Sequence, residues 1–353
     1  LTLRRFANPA GQVVGVAVVL AIAVALTLLV FRLPVLESAR LIIDGAFGDR
    51  FGVARTLVRT CPLLLTSIGM LVAWRAGMYN IGGEGQYVLG GLGAAALFKL
   101  IPGFTPGPGL LLCLLLSSML AGSLWALLSG WLYTARGVDV VISTILLNFV
   151  ALQLLSWLVV GPLQETKRQL PLSDRLPDTG MFLRFDRQSD LHTGIMVALL
   201  AMVVVWLLLS LTPFGFKLRL VGANPRAARS NRINVSRTQL GAMMLSGALC
   251  GLAGGVEYSG VSGQIGSGFA QNWGFLAIPV ALLGGLHPLG VSLSSLVFGA
   301  LFAGSENLSR FASGGTIGTS LIFVIQAVAV LGYIAIRAVQ EQQNRQLAES
   351  EAD

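Results

Sequence analysis

Apolar runs of eighteen residues or more recur along this 353-residue chain, and a helix needs a run of that length to cross a hydrocarbon core. Runs of spanning length lie near 13–33, 56–75, 83–101, 109–134, 139–160, 192–212, 237–258, 271–286, 289–305 and 316–337. They predict an all-α, polytopic membrane protein with about ten transmembrane helices. The eighth run is short for a core about 30 Å thick, and the third is interrupted by glycines, so both are candidates for re-entrant or broken segments. Only 11% of the residues are charged, whereas a soluble domain carries about a quarter. Mean hydropathy is +0.77, so the solvent this sequence suits is lipid.

A net charge of +8 would suit a nucleic-acid partner in a soluble protein. In a membrane protein basic residues collect in cytoplasmic loops and set orientation, and no nucleic-acid partner is expected. The raw Lys/Arg tally divides evenly between the two sides, so one loop decides. "TPFGFKLRLVGANPRAARSNRINVSRTQ", Thr212 to Gln239, carries six basic residues and no acid, which places it in the cytoplasm. The polar segment 161–191 is mixed in sign and falls on the opposite side as an external loop. An even number of spans then puts both termini inside. The opening "LTLRRFANPAGQVVGVAVVL" reads as a retained first span, since the apolar run continues without a small-residue cleavage site. The end of the chain, 338–353, is a polar tail, and 1–353 reads as a single transmembrane domain.

Several chemistries lack their residues. Cys61, Cys113 and Cys250 sit in or beside apolar runs and form neither a disulfide framework nor a zinc spacing. There is no GxxxxGK[ST] nucleotide-binding sequence and no HExxH. No catalytic residue, metal site or cofactor is expected.

Glu84, in "AGMYNIGGEGQYVLGG", is the most conspicuous polar group. An ionised carboxylate deep in a bilayer costs at least a few kcal/mol, so it must face protein or water or lie near the surface. Gly82, Gly83 and Gly85 around it weaken a helix by about 1 kcal/mol each relative to alanine. A break there leaves backbone groups unpaired, which only a protein-lined or water-lined setting tolerates, and transporters build sites and gates at such breaks. Alternatively, the glycines allow close packing while Glu84 caps a helix N-terminus. Asn80, Glu84 and Gln86 are read as satisfying the broken ends or shaping a gate. Asn148 in "VDVVISTILLNFVA" is a pathway candidate as well, although a lone membrane asparagine also glues helices together, as Gln153 could.

In the basic loop, Asn224-Pro225 reads as a turn into a short helix with Pro225 at its first position. "PRAARSNRI" then offers Ala227, Ala228 and Ile233 for packing, with Arg226, Arg229 and Arg232 facing outwards, the pattern of a docking surface. Glu257 and Gln264 flank a glycine-rich external connection, Asn272 and Trp273 suit a membrane interface, and His287 is a loop residue.

The ordered set "AGMYNIGGEGQYVLGG", "VDVVISTILLNFVA", "VGANPRAARSNRI", "SGALCGLAGGVEYSG" and "FLAIPVALLGGLHPLG" resembles permease subunits of bacterial ABC importers in the branched-chain amino acid and ribose permease superfamily. It is most similar to the branch associated with nucleoside uptake and basic membrane lipoprotein receptors, and the resemblance covers about Leu57 to Ile336. "YNIGGEGQ" stands here where that branch has "FNIGAEGQ". The resemblance implies a subunit of the bacterial inner membrane that does no chemistry itself. It would pair with a second, different permease subunit above cytoplasmic ABC ATPases, and a substrate-binding lipoprotein would deliver a small molecule from outside. It carries over Gly222, Ala223, Asn224, Pro225, Arg226, Ala227 and Ala228, with Arg229 beside them, as the ATPase contact within the coupling loop 212–239. A nucleoside is the implied cargo, with ribose-like sugars or branched-chain amino acids as the alternative. A gradient-driven carrier using Glu84 is a remote third reading.

Overall fold

The computed structural model describes residues 21–22, 24–30, 32–101, 108–186 and 188–311, with a few positions between 323 and 331. The polar tail 338–353, nearly all of the run near 316–337 and the first part of that near 13–33 lie outside the described residues. Helices are α1 (Val35–Phe47), α2 (Arg50–Arg75), α3 (Gly83–Leu100), α4 (Pro108–Arg136), α5 (Val140–Val160), α6 (Gly194–Leu211), α7 (Pro213–Ala223), α8 (Pro225–Ser230), α9 (Val235–Glu257), α10 (Trp273–Leu283) and α11 (Pro288–Phe311). A five-residue π turn, Tyr258–Ser262, extends α9. The described residues contain no strand, only two isolated bridges.

Six of these helices, α2, α4, α5, α6, α9 with its π turn, and α11, are long and apolar enough to cross a membrane. The protein is therefore a multi-pass membrane protein. The chain forms two compact units, Leu57–Gly299, and Leu1–Thr56 with Ala300–Asp353. In the smaller unit, Leu28, Ile42 and Leu308 form a buried cluster, and the Asn307 side chain donates to the Leu41 carbonyl at 2.9 Å. Its amphipathic helix α1 falls in a stretch from which no helix is expected by apolar run length, because only one of its faces is apolar.

In the larger unit α9 is the central helix. It packs backbone to backbone on α4, where Gly122 faces Gly247 and Gly251. In α9, 72% of the most apolar window is buried, against 33% in α4 and α5 and 22% in α6. The outer helices show why: Leu146, Phe149 and Trp157 on α5 are exposed, as side chains facing lipid must be.

Two segments depart from the pattern of the six long apolar helices. Helix α10 has eleven residues, about 16 Å at 1.5 Å per residue, roughly half of a hydrocarbon core. Before it, residues 263–272 descend along α3 in antiparallel sense. Ile265 and Phe269 lie against Gly91, the Phe269 ring stacks on Tyr87 at 5.1 Å, and Asn272 reaches Glu84. Helix α3 likewise starts inside the bundle, since Asn80, just before it, bonds Ser246 in the middle of α9. Helix α3 is nevertheless continuous over Gly83–Leu100, so its glycines do not interrupt it and the break lies before it, at 76–82, while the run near 271–286 holds only the short α10.

On the face opposite the basic segment, 161–193 folds over the end of α9. Ser173 N–H donates to the Ile265 carbonyl at 2.7 Å, and Phe182 N–H to the Ser259 carbonyl at 2.9 Å. Asp174 pairs with Lys99 at 3.6 Å. Burial acts to raise the Asp174 carboxyl, but the Thr166 N–H and hydroxyl and the Lys99 ammonium hold it below the usual range. Burial, reinforced by the Arg184 guanidinium and opposed by Asp190, pushes the His192 imidazole down to about 4.

Candidate functional site

The break between α2 and α3 is built from backbone outward. Helix α2 stops at Arg75, and Gly77 takes a φ of +75°, from which residues 78–81 run without helical structure into the bundle. Each exposed end finds a side chain. Asn80 Oδ1 accepts from Gly82 N–H at 2.8 Å and from the Gln86 amide at 3.0 Å, and its own amide donates to Gln86 Oε1 and Ser246 Oγ. Asn148, from α5, accepts Gly85 N–H at 2.8 Å and donates to the Ile81 carbonyl at 3.0 Å. The Trp74 indole donates to the Asn80 carbonyl at 2.9 Å.

Glu84 reaches a different helix. Its Oε1 accepts Asn272 N–H at 3.0 Å and its Oε2 accepts Gly274 N–H at 2.7 Å, so it caps the N-terminus of α10. Helix starts have unpaired N–H groups and a positive dipole end, and a carboxylate answers both. The Asn272 side chain makes no cap of its own, and its backbone is left-handed at φ 63°. The approach is possible only at a glycine, since a Cβ on Gly274 would lie 1.9 Å from the Glu84 nitrogen.

The basic segment is a second site of different character. It consists of α7 and α8 joined through Asn224, and each helix start has a side-chain cap. Thr212 Oγ1 accepts Gly215 N–H, with Pro213 at the first position. Asn224 Oδ1 accepts Arg226 N–H at 3.0 Å and Ala227 N–H at 3.1 Å, with Pro225 at the first position. Asn234 Oδ1 accepts Arg237 N–H at the start of α9. Ala228 packs into a buried cluster with Val221 and Val235, and Ile233 against it. Arg226, Arg229 and Arg232 point outward; among the described residues none has a side-chain hydrogen bond or ion pair. A 270 Å³ cavity lined by Tyr133, Thr134, Pro225, Arg229, Ser236 and Gln239 opens beside α8.

The family described as branched-chain amino acid transport system, permease component, matches residues 52–331. This chain belongs to that permease family. The permease is 33% identical over 293 residues to a glucose ABC transporter permease of Haloferax volcanii, covering 80% of this chain and 76% of that one. It is 31% identical over 333 residues to a guanosine ABC transporter permease of Bacillus subtilis, covering 92% and 94%. It is also 28% identical over 316 residues to a nucleoside ABC transporter permease of Lactococcus lactis, covering 84% and 82%.

The structure brings Asn80, Glu84, Gln86 and Asn148 of the permease to one place and leaves Gln153 exposed elsewhere on α5. Gly222 to Arg229 lie together on α7 and α8. The stretch 212–239 is a pair of capped helices rather than an open loop, a difference signalled by Thr212-Pro213 as plainly as by Asn224-Pro225. Trp273 is 2% exposed, packed inside the bundle rather than at an interface, and Glu257, 5% exposed, ends α9 beside the glycine-rich connection but is buried. Sequence reasoning missed Gly274 as the partner of Glu84 and Arg75 as a contact of the α10 end. Neither leaves a local signal, because each partner lies some two hundred residues away.

Proposed function

We propose that this chain is the transmembrane permease subunit of an ATP-driven importer that moves nucleosides or related compounds across the bacterial inner membrane. The observation that carries the reading is the end-to-end match to the guanosine permease, 92% of this chain against 94% of that one. The local structure supports it: two capped helices present unpaired arginines beside a cavity, as a docking surface for a cytoplasmic ATPase requires. In this reading Gly222 to Arg229 form the ATPase contact, and that face is cytoplasmic. About ten crossings, one of them the short α10, put both termini inside. A second, different permease subunit completes the pathway, and a substrate-binding lipoprotein delivers the cargo to the opposite face. ATP hydrolysis belongs to the separate ATPase, and this subunit needs no cofactor.

Asn80, Glu84, Gln86 and Asn148 would stiffen the pathway wall at the break. Glu84 gives little support to a proton-driven carrier, because both its oxygens already accept backbone N–H groups. The glucose permease relative favours a sugar as the second reading.

Reconstitution in liposomes with the partner ATPase, second permease and receptor tests the proposal. Labelled guanosine should accumulate only with internal-face ATP and be displaced by other nucleosides. Accumulation without the ATPase would overturn ATP-driven import, and glucose accumulation in place of guanosine would establish the second reading.

A further inference from the structure

Helix α10 is gripped at both ends by one short stretch of chain. At its N-terminus the Glu84 carboxylate takes the N–H groups of Asn272 and Gly274. At the other end, just past the Gly284 cap, Arg75 Nε donates to the Leu286 carbonyl at 2.9 Å. There the chain turns through two left-handed residues, Gly285 and Leu286. An anion sits at the positive end of the helix and a cation at the negative end, both favourable to its dipole. Arg75 and Glu84 stand at either end of the link 76–83, so the link and α10 form a closed frame.

The frame meets the basic segment at Gly222, and Arg219 on the same helix lies near enough to act on the Arg75 charge. Gly222 lies in the last turn of α7, and a Cβ there would lie 2.1 Å from the Arg75 carbonyl oxygen and 3.3 Å from the Gly77 nitrogen. Backbone therefore rests on backbone. The cluster of Val221, Ala228 and Val235 joins α7, α8 and the start of α9 into one packed piece. Close-packed contacts transmit displacement rather than absorb it.

We propose that Arg75 is the positioning residue through which a shift of the basic segment reaches the break inside the bundle. Its backbone bears on Gly222 while its side chain holds the end of α10, and α10 in turn holds Glu84. A push on α7 thus moves α10 as a strut and displaces both faces of the break together. The inference rests on the reading of the basic segment as the ATPase contact.

The test uses the assembled transporter carrying Arg75→Ala or Arg75→Lys. Two quantities are read: cargo moved per ATP hydrolysed, and amide hydrogen exchange of the α10 peptide with and without a non-hydrolysable ATP analogue. In the unmodified complex the analogue should change exchange at the start of α10. Arg75→Ala should hydrolyse ATP at close to the normal rate, lose at least about tenfold in cargo per ATP, and lose the analogue-dependent change in exchange. Arg75→Lys should recover most of both, because its ammonium can still donate to the Leu286 carbonyl. Normal cargo per ATP in Arg75→Ala, an unaltered exchange response, or a lysine variant as impaired as the alanine one would overturn the proposal. An unmodified complex that hydrolyses ATP without moving cargo would sink the importer reading, and the exchange response would still decide this one.

Discussion

The break before α3 and the basic segment of α7 and α8 both gather polar residues, yet they use them in opposite ways. Asn80, Glu84, Gln86 and Asn148 are at most 1% exposed, and each is bonded to backbone or to another member of the group. Arg226, Arg229 and Arg232 are exposed and have no side-chain partner among the described residues. The solvent explains the contrast. In a bilayer the backbone groups that a break leaves unpaired must be satisfied from within the protein, so a break in a helix consumes the side chains around it. In water nothing forces the pairing, and charge remains for a partner. In the proposed reading, the polar groups left over, rather than the most unusual ones, are those offered to a second protein.

The sharpest way to break this comparison is Gly274→Val. Its Cβ would collide with the Glu84 backbone, and the strand of chain on either side has no room to retreat, so the loss should exceed about 4 kcal/mol. No folded protein should be recovered from detergent extracts by size-exclusion chromatography. A well-folded, active variant would mean that the α3–α10 junction is open rather than packed. Reversal of charge at the other site, Arg226→Glu with Arg229→Glu, should have the complementary effect. Thermal stability should change by less than about 0.5 kcal/mol, as for other surface substitutions. ATP-dependent uptake should fall at least about tenfold. Full uptake would reduce the segment to an orientation signal.

How much of this was legible in the sequence follows from the range of each interaction. A break near Asn80 was legible, although it falls at 76–82, before α3, and Gly83 and Gly85 lie inside that continuous helix rather than breaking it. So was the start of α8, whose cap and first-position proline are adjacent in the chain. The identity of the N-terminus that Glu84 caps was not, since Asn272 and Gly274 become its neighbours only when the chain returns down α3. Trp273 was assigned to an interface on residue type, but tertiary packing buries it. Helix α7 was hidden behind its charge: a basic stretch reads as a loop even when Thr212 and Pro213 announce a helix.

The smallest effect tests the comparison most finely. Asn224 is exposed and belongs to the basic segment, yet its side chain behaves like those of the break, closing two backbone N–H groups at the start of α8. Asn224→Ala should cost about 1 kcal/mol, read as a lowered melting temperature and faster amide exchange in α8. Pro225 keeps its helical φ in the variant and limits the loss. Aspartate is as good a cap as asparagine, so Asn224→Asp should restore both exchange and uptake. If Asn224→Asp restores the helix but not uptake, the side chain of Asn224 itself meets the partner, and the boundary between spent and unspent polar groups runs through this residue.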